Sequence, residues 1–490
     1  MSFSELLGSG LVLMDGGMGT QLCAMGLGAG EHSETWNLTH PQEVASVHRA
    51  YMDAGSNILT ANTFNVNTLT YSKEQADAMI GAAFENLRRA KAETTGTQEI
   101  LFALDIGPLG RLLEPFGDLS FEDARSAFAD VVSLGVKHGA QVVLIETFTD
   151  LRETKAALLA VKETCSLPVI VSNAYSKDRR LLTGAEPEAV IAMLEGMGAD
   201  AIGLNCSFGP ETLAPIAEVY LSHTNLPILF QPNAGLPENT PDGVRYSVDP
   251  ESFAASVTEM IRKGVQLAGG CCGTTPAYIR RLREESDGVC SIRPKAKARA
   301  VITSRVAAFD LGDDPAELGA FLGNAFCKEM QSAFENGDLD AVLTEAETQE
   351  ESGARILTVD AGSCGGKTVL ADAVTELQTD FTLPLQFAAD DPAALETALR
   401  VYIGKALVRL ADDNRERLQS VFPLIGKYGG TAVVSLPEKT ENCLAAAEEI
   451  LREAELCKIA KRDLIFVLQN GEAETAAAIK SRLGCRTAIL

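Results

Sequence analysis

No stretch of the 490 residues stays apolar for the length needed to cross a bilayer. The opening Met1-Ser-Phe-Ser-Glu-Leu-Leu7 lacks the basic segment and apolar core of an export signal, so a cytoplasmic protein is expected. Positive charge is scarce: 42 Lys and Arg stand against 67 Asp and Glu, for a formal net charge of -25. That balance argues against nucleic acid or an anionic membrane as a partner. Gly16-Gly-Met-Gly19 lacks the spacing of a dinucleotide fingerprint, and Gly365-Gly-Lys-Thr368 fails as a phosphate loop because Ala361 stands where the first glycine is required. A corrinoid-type Asp-x-His-x-x-Gly is missing, so the chain is expected to carry no corrinoid itself. The 11 cysteines are odd in number and irregularly spaced, which predicts reduced thiols rather than a disulfide framework.

What is present is a concentration of thiols in one glycine-rich turn, Leu267-Ala-Gly-Gly-Cys-Cys-Gly-Thr-Thr-Pro276. Adjacent cysteines do not readily bond to each other, but Cys271 and Cys272 can both bind one ion if a third ligand arrives. Cys206 qualifies, because it too ends a short apolar run, Ala201-Ile-Gly-Leu-Asn-Cys206. Three thiolates around Zn2+ leave a fourth tetrahedral position open, as in catalytic rather than structural zinc. A substrate thiol placed there is held as thiolate at neutral pH. Burial as small apolar residues is the bland reading of any single cysteine. A pair between glycines, with a third thiol at a matching position, favours the metal.

Eight apolar runs alternate with amphipathic stretches up to about residue 285. They are Leu11 to Gly19, Asn57 to Phe64, Ile100 to Pro108, Val142 to Phe148, Pro168 to Ala174, Ala201 to Cys206, Pro227 to Gly235 and Gly264 to Cys271. Strands alternating with helices pair in parallel, and this number predicts a (β/α)8 TIM barrel. Closure brings the C-terminal ends of all the strands to one face, where Cys206, Cys271 and Cys272 would meet. Asp15, Asn62, Asp105, Glu146, Asn173 and Asn233 arrive at the same mouth. Asp15 and Glu146 can bind an ammonium group, and the backbone N–H groups of Gly16, Gly17 and Gly19 a carboxylate. Such a site suits an amino acid bearing a thiol.

Asp15-Gly-Gly-Met-Gly-Thr20, Ala61-Asn-Thr-Phe64, Glu146-Thr-Phe148, Gly203-Leu-Asn-Cys206, Pro232-Asn-Ala-Gly235 and Gly269-Gly-Cys-Cys-Gly-Thr-Thr-Pro276 occur in that order. Together they closely resemble the homocysteine S-methyltransferase family, which includes the homocysteine module of cobalamin-dependent methionine synthase. The resemblance implies zinc on Cys206, Cys271 and Cys272, and homocysteine sulfur as the incoming ligand. It also implies that Asp15 and Glu146 hold the amino group, and that Asn233 occupies the open zinc position before substrate arrives.

The stretch 286–304 turns polar and then basic and reads as a linker, leaving 1–285 as the zinc barrel and 305–490 as a second α/β domain. Six strand-like runs follow, from 353–362 to 486–490. Leu383-Pro-Leu-Gln386, Asp391 to Glu396, Gly404-Lys-Ala406 and Pro423 to Gly429 resemble the pterin-binding barrel of cobalamin-dependent methionine synthase. The likeness is degenerate. Gly323-Asn-Ala-Phe-Cys327 replaces the family's opening segment, Thr358 and Asp360 stand where Asp and Asn are expected, Ala388 where Asp is expected, and Arg409 where Asn is expected. Such groups do not reproduce the edge pairing of a pterin ring, so no tetrahydrofolate binding is expected. With six strands this half makes only an incomplete (β/α) barrel, whose open edge needs a cover. It reads equally as a docking platform or as a structural appendage.

Three functions follow. One is a zinc-dependent methyltransferase making methionine from homocysteine, the methyl group coming from methylcobalamin on a separate corrinoid protein. A second keeps the acceptor but uses a free donor such as S-methylmethionine, S-adenosylmethionine or betaine. The third is a non-catalytic scaffold that binds zinc and thiols.

Overall fold

A computed structural model describes residues 1–28, 30–240, 243–289, 295–297, 299–323, 328–362, 367–436, 440–469 and 473–490. Most of Gly323-Asn-Ala-Phe-Cys327, part of the stretch read as a linker, and the start of Gly365-Gly-Lys-Thr368 lie outside the described residues. The chain divides into two compact units. One comprises Met1–Thr183 and Ala199–Ala296, the other Gly184–Gly198 and Lys297–Leu490.

The strands of the first unit are β1 (Val12–Leu13), β2 (Ile58–Thr60), β3 (Leu101–Ile106), β4 (Val142–Phe148), β5 (Val169–Asn173), β6 (Ala201–Asn205), β7 (Ile228–Gln231), β8 (Pro237–Thr240), β9 (Gly243–Tyr246) and β10 (Leu267–Ala268). All but β8 and β9 form one parallel sheet of 8 strands, in the order β1-β10-β7-β6-β5-β4-β3-β2. Met14 bridges in parallel to Ile58, which brings the two edge strands together and makes the (β/α)8 barrel. β8 and β9 pair as an antiparallel hairpin after β7, an element absent from the strand pattern read above.

The intervening helices carry ordinary signals. Helix Phe121–His138 starts where the Ser120 side chain accepts from the Asp123 N–H and stops at Gly139, which has φ 97°. Val12, Met14, Ile58, Leu101, Val142, Leu144, Leu229 and Leu267 pack together inside the barrel. Phe3 and Leu6 join this cluster from the short helix Phe3–Gly8, which a Ser2/Glu5 capping box starts. Truncating a residue such as Leu144 to alanine is expected to cost about 2–5 kcal/mol. The site above therefore stands on a stiff floor.

The second unit has an antiparallel pair, β11 (Val301–Thr303) with β12 (Ala308–Asp310). Residues 301–303, the end of the stretch read as a linker, are thus a strand. β13 (Leu357–Gly362), β14 (Leu385–Ala389), β15 (Leu407–Leu410), β16 (Thr431–Ser435), β17 (Leu464–Leu468) and β18 (Arg486–Ile489) form a parallel sheet in chain order. These are the 6 strands expected, arranged as an incomplete barrel. Helix Pro315–Leu322 packs against β18, and Gly319 allows the approach because a Cβ there would strike the Ile489 carbonyl. That helix covers the edge strand. Lys405 and Asp463 form an ion pair of 2.5 Å with 4% and 7% of their side chains exposed.

Candidate active site

The C-terminal ends of the barrel strands surround a cavity of about 340 Å³. Asp15, Gly16, Gly17, Gly19, Asn62, Asp105, Glu146, Cys206, Cys271 and Cys272 all line it, as the sequence led us to expect. Asn173 and Asn233 do not. Asn173 is buried and turned to the Phe148 carbonyl and Thr154 Oγ1, whereas Asn233 is buried and hydrogen-bonds to the Cys206 thiol.

The three Sγ atoms of Cys206, Cys271 and Cys272 lie within 4.8 Å of one another. Local backbone brings them there. Cys206 adopts φ 59° and Ser207 φ 63°, left-handed conformations that are uncommon outside glycine and cost roughly 1–3 kcal/mol each. The Cys206 N–H donates to the Gln231 carbonyl, the Cys271 N–H to the Pro232 carbonyl, and the Cys272 carbonyl accepts from the Ala234 N–H. The end of β7 and the residues that follow it, Gln231 to Ala234, are thus the rail on which both thiol segments are hung. Gly17 must be glycine, because a Cβ there would lie 2.9 Å from the Cys271 carbonyl oxygen.

Hydrogen bonds from Cys271 and Cys272 hold the Cys206 thiol well below its ordinary pKa, while bonds to Cys206 and Cys272, and then burial, push Cys271 up. One shared negative charge therefore forms readily and a second does not. A divalent cation removes that penalty, and metal–sulfur bonds of about 2.3 Å in a tetrahedron separate the sulfurs by roughly 3.8 Å, within reach of the observed spacing. Asn233 adds a second fit. Its amide hydrogen-bonds to the Cys206 sulfur, and its Oδ1 is buried without a partner. The donor set suits a metal ion with three sulfurs and one further oxygen.

The carboxylates face the same cavity in different states of satisfaction. Asp15 accepts from the Thr60 N–H at 2.8 Å and from Thr60 Oγ1. Burial nevertheless pushes its pKa up to about 7. Glu146 is pushed up to about 8, first by burial, then by the charges of Asp15 and Cys206. Among the described lining residues no Lys, Arg or His balances these groups. The cavity lacks a cation, which an ammonium group supplies. For a carboxylate the Gly17 N–H is already engaged, donating to Thr274 Oγ1 at 3.2 Å, which leaves Gly16 and Gly19 of the expected donors.

Sequence reasoning missed the residues that hold these groups in place. Asn205, at the end of β6, reaches Glu146 Oε2 at 3.2 Å, Thr147 Oγ1 at 2.8 Å and Cys271 Sγ at 3.8 Å, and its Oδ1 accepts from Ser172 Oγ. It links an acid to a thiol. Thr60 fixes Asp15, and Thr274 ties Gly17 to the Cys271 carbonyl. Tyr246 of β9 lies against Gly273, which has φ 81° and no room for a side chain. Asn205 and Thr274 sit inside motifs already noted, so their position carried a signal; Thr60 and Tyr246 offered none.

In the second unit, polar side chains of the strands bond to a neighbouring strand, to a helix side chain or to a helix-end carbonyl. Gln386 Nε2 donates to Thr358 Oγ1 at 3.0 Å, Gln331 Nε2 to Asp360 Oδ2 at 2.9 Å, and Arg409 Nη1 to the Gly323 carbonyl at 2.9 Å. Burial lowers Arg409 to about 10. Among the described residues no helix is long and apolar enough to cross a membrane.

Residues 12–286 match the family model of homocysteine S-methyltransferase. Over 92% of its length the chain is 27% identical to methionine synthase of Mycobacterium tuberculosis (strain ATCC 25618 / H37Rv), and equally to that of Mycobacterium leprae (strain TN). It covers 40% of each, so it spans about two fifths of the length of these curated relatives. Among solved structures, the metallated form of the homocysteine methyltransferase MmuM from Escherichia coli shares the barrel fold. The TM-score is 0.50 at 23% identity, covering 58% of this chain and 99% of that one.

Proposed function

The chain belongs to the homocysteine S-methyltransferase family, and from that premise we propose that it methylates the thiol of homocysteine to give methionine, at a zinc ion held by Cys206, Cys271 and Cys272. The observation that carries this reading is the clustering of three thiols beside a cavity whose other ionisable groups are carboxylates. Zinc bound there supplies a Lewis acid that keeps the substrate sulfur as thiolate at neutral pH.

The protein's own groups do the positioning. Asp15, oriented by Thr60, and Glu146, oriented by Asn205, receive the ammonium group. The N–H groups of Gly16 and Gly19 receive the carboxylate. Asn233, whose Oδ1 is buried without a partner, would supply an oxygen ligand to a bound zinc in the absence of substrate. With the amino acid anchored at its far end, its sulfur points at the thiol cluster and meets the methyl carbon in line. The new sulfur–carbon bond forms as the donor–carbon bond breaks, and that bonding pair stays with the donor. Holding both reactants in place lowers the entropic part of the barrier.

For the donor we propose a methylcorrinoid protein acting in trans in the cytoplasm. Relatives named methionine synthase align over both units, which supports it. The second unit, over 305–490 after a linker at 286–304, would then be a docking platform. A free cationic donor, such as S-methylmethionine, is the second reading, favoured by a cavity lined with acids and no bases. Zinc-loaded chain given homocysteine with methylcobalamin, methyltetrahydrofolate, S-methylmethionine, S-adenosylmethionine or betaine separately distinguishes them. Methionine from methylcobalamin alone supports the corrinoid route, and methionine from a free donor replaces it.

A further inference from the structure

The cavity contains one carboxylate that the reading above does not use. Asp105, at the end of β3, is 6% exposed and lines the cavity. Thr63 Oγ1 bonds both to the Asp105 N–H and to its carbonyl, so the neighbouring hydroxyl serves its backbone and leaves its side chain alone. Oδ1 of Asp105 is buried with no hydrogen-bond partner.

A buried carboxylate oxygen without a donor is costly, and in a folded protein it points to a missing ligand. Burial, then the charges of Glu146, Asp15 and Glu34, push the Asp105 carboxyl well above its ordinary range. All of its charged neighbours are acids. The group that relieves them is therefore a cation that donates hydrogen bonds.

The three acids of the cavity also differ in how far protein donors already satisfy them. Asp15 has the Thr60 N–H and hydroxyl, and Glu146 has the Asn205 amide. Asp105 has the greatest unmet capacity. Ala103 on β3 and Leu144 on β4 both face the barrel interior, and so, two residues further along its strand, does Asp105. An ammonium group carries three N–H donors, and here three carboxylates from β3, β4 and the segment after β1 face one cavity.

We propose that Asp105 is a third specificity-determining carboxylate, accepting the remaining N–H of the substrate's ammonium group. The proposal rests on the homocysteine reading and adds to it the selection of an α-amino thiol over a thiol without the amine. A charged hydrogen bond of this kind corresponds to a discrimination on the order of tenfold to a hundredfold.

The test is calorimetric binding to zinc-loaded full chain of homocysteine and of its des-amino analogue, 4-mercaptobutanoate, for the wild type, Asp105→Ala and Asp105→Asn. Zinc content and melting temperature report whether each variant is folded and loaded. Expected is a wild-type preference for homocysteine that shrinks about tenfold or more in Asp105→Ala, with affinity for the analogue nearly unchanged. Asp105→Asn, which keeps an acceptor but loses the charge, should fall between. If folded, zinc-loaded variants keep the wild-type ratio, Asp105 is a structural residue and the proposal is overturned while homocysteine binding stands. If the wild type binds neither thiol, the homocysteine reading falls, and this proposal with it.

Discussion

The two units are built from the same strand–helix repeat, yet the polar groups on their strands differ in charge and in how they are paired. In the first, thiols and acids crowd one cavity with no base among its described lining residues, and Asp105 Oδ1 and Asn233 Oδ1 are left without partners. In the second, Thr358 pairs with Gln386, Asp360 with Gln331, and Arg409 with the Gly323 carbonyl. Shared architecture does not give shared chemistry. A mouth crowded with buried acids is prepared for a cationic ligand, whereas the described strands of the second unit leave only neutral oxygens, Gln386 Oε1 and Thr431 Oγ1, buried without a partner.

The contrast can be broken most severely at the thiols. Cys272→Ala should lose stoichiometric zinc and reduce methyl transfer to background, read by metal analysis and methionine formation, while the melting temperature of the second unit stays. Retained zinc at full occupancy would remove the first unit's claim to be the reactive one. In the second unit, Lys405→Met removes the closer of the two cations beside the buried Asp463, leaving Arg462 Nε at 3.6 Å, and should cost up to roughly 3–5 kcal/mol by urea unfolding. Zinc content should not change.

Smaller effects sharpen the comparison. Asn205→Ala frees Glu146 and a contact to Cys271 Sγ together, so zinc affinity should weaken about 10- to 100-fold in chelator competition. For the pH dependence, Asp15 and Glu146 titrate near 7 and 8 in the folded chain but near about 4 when unfolded. The folded state then holds the extra protons, so the metal-free chain should lose stability as pH rises from about 4 to 8. Melting curves across that range should slope downward, and Glu146→Gln should flatten them. Smallest of all, Arg409→Met should leave the homocysteine dissociation constant within about twofold.

Most of this organisation was legible because it is periodic or chemically rare. Apolar runs bounded by glycine marked the strands of both sheets, and adjacent cysteines between glycines marked the thiol cluster. Asn205 and Thr60 were not legible as tethers, since a polar residue in a buried strand reads alike whether it bonds to backbone, to an acid or to a thiol. The hairpin from Pro237 to Tyr246 was also missed. Its polar, proline-containing sequence resembles an ordinary loop, and only its tyrosine against Gly273 gives it a place at the thiol turn.

The central claim is that a zinc ion on three cysteines keeps one position open for the substrate sulfur. X-ray absorption at the zinc edge, with and without homocysteine, tests it most directly. Three sulfurs and one oxygen or nitrogen should be seen alone, and four sulfurs once homocysteine is added. A fully sulfur-ligated or otherwise closed zinc that does not respond to homocysteine would contradict it and leave a thiol-rich scaffold in its place.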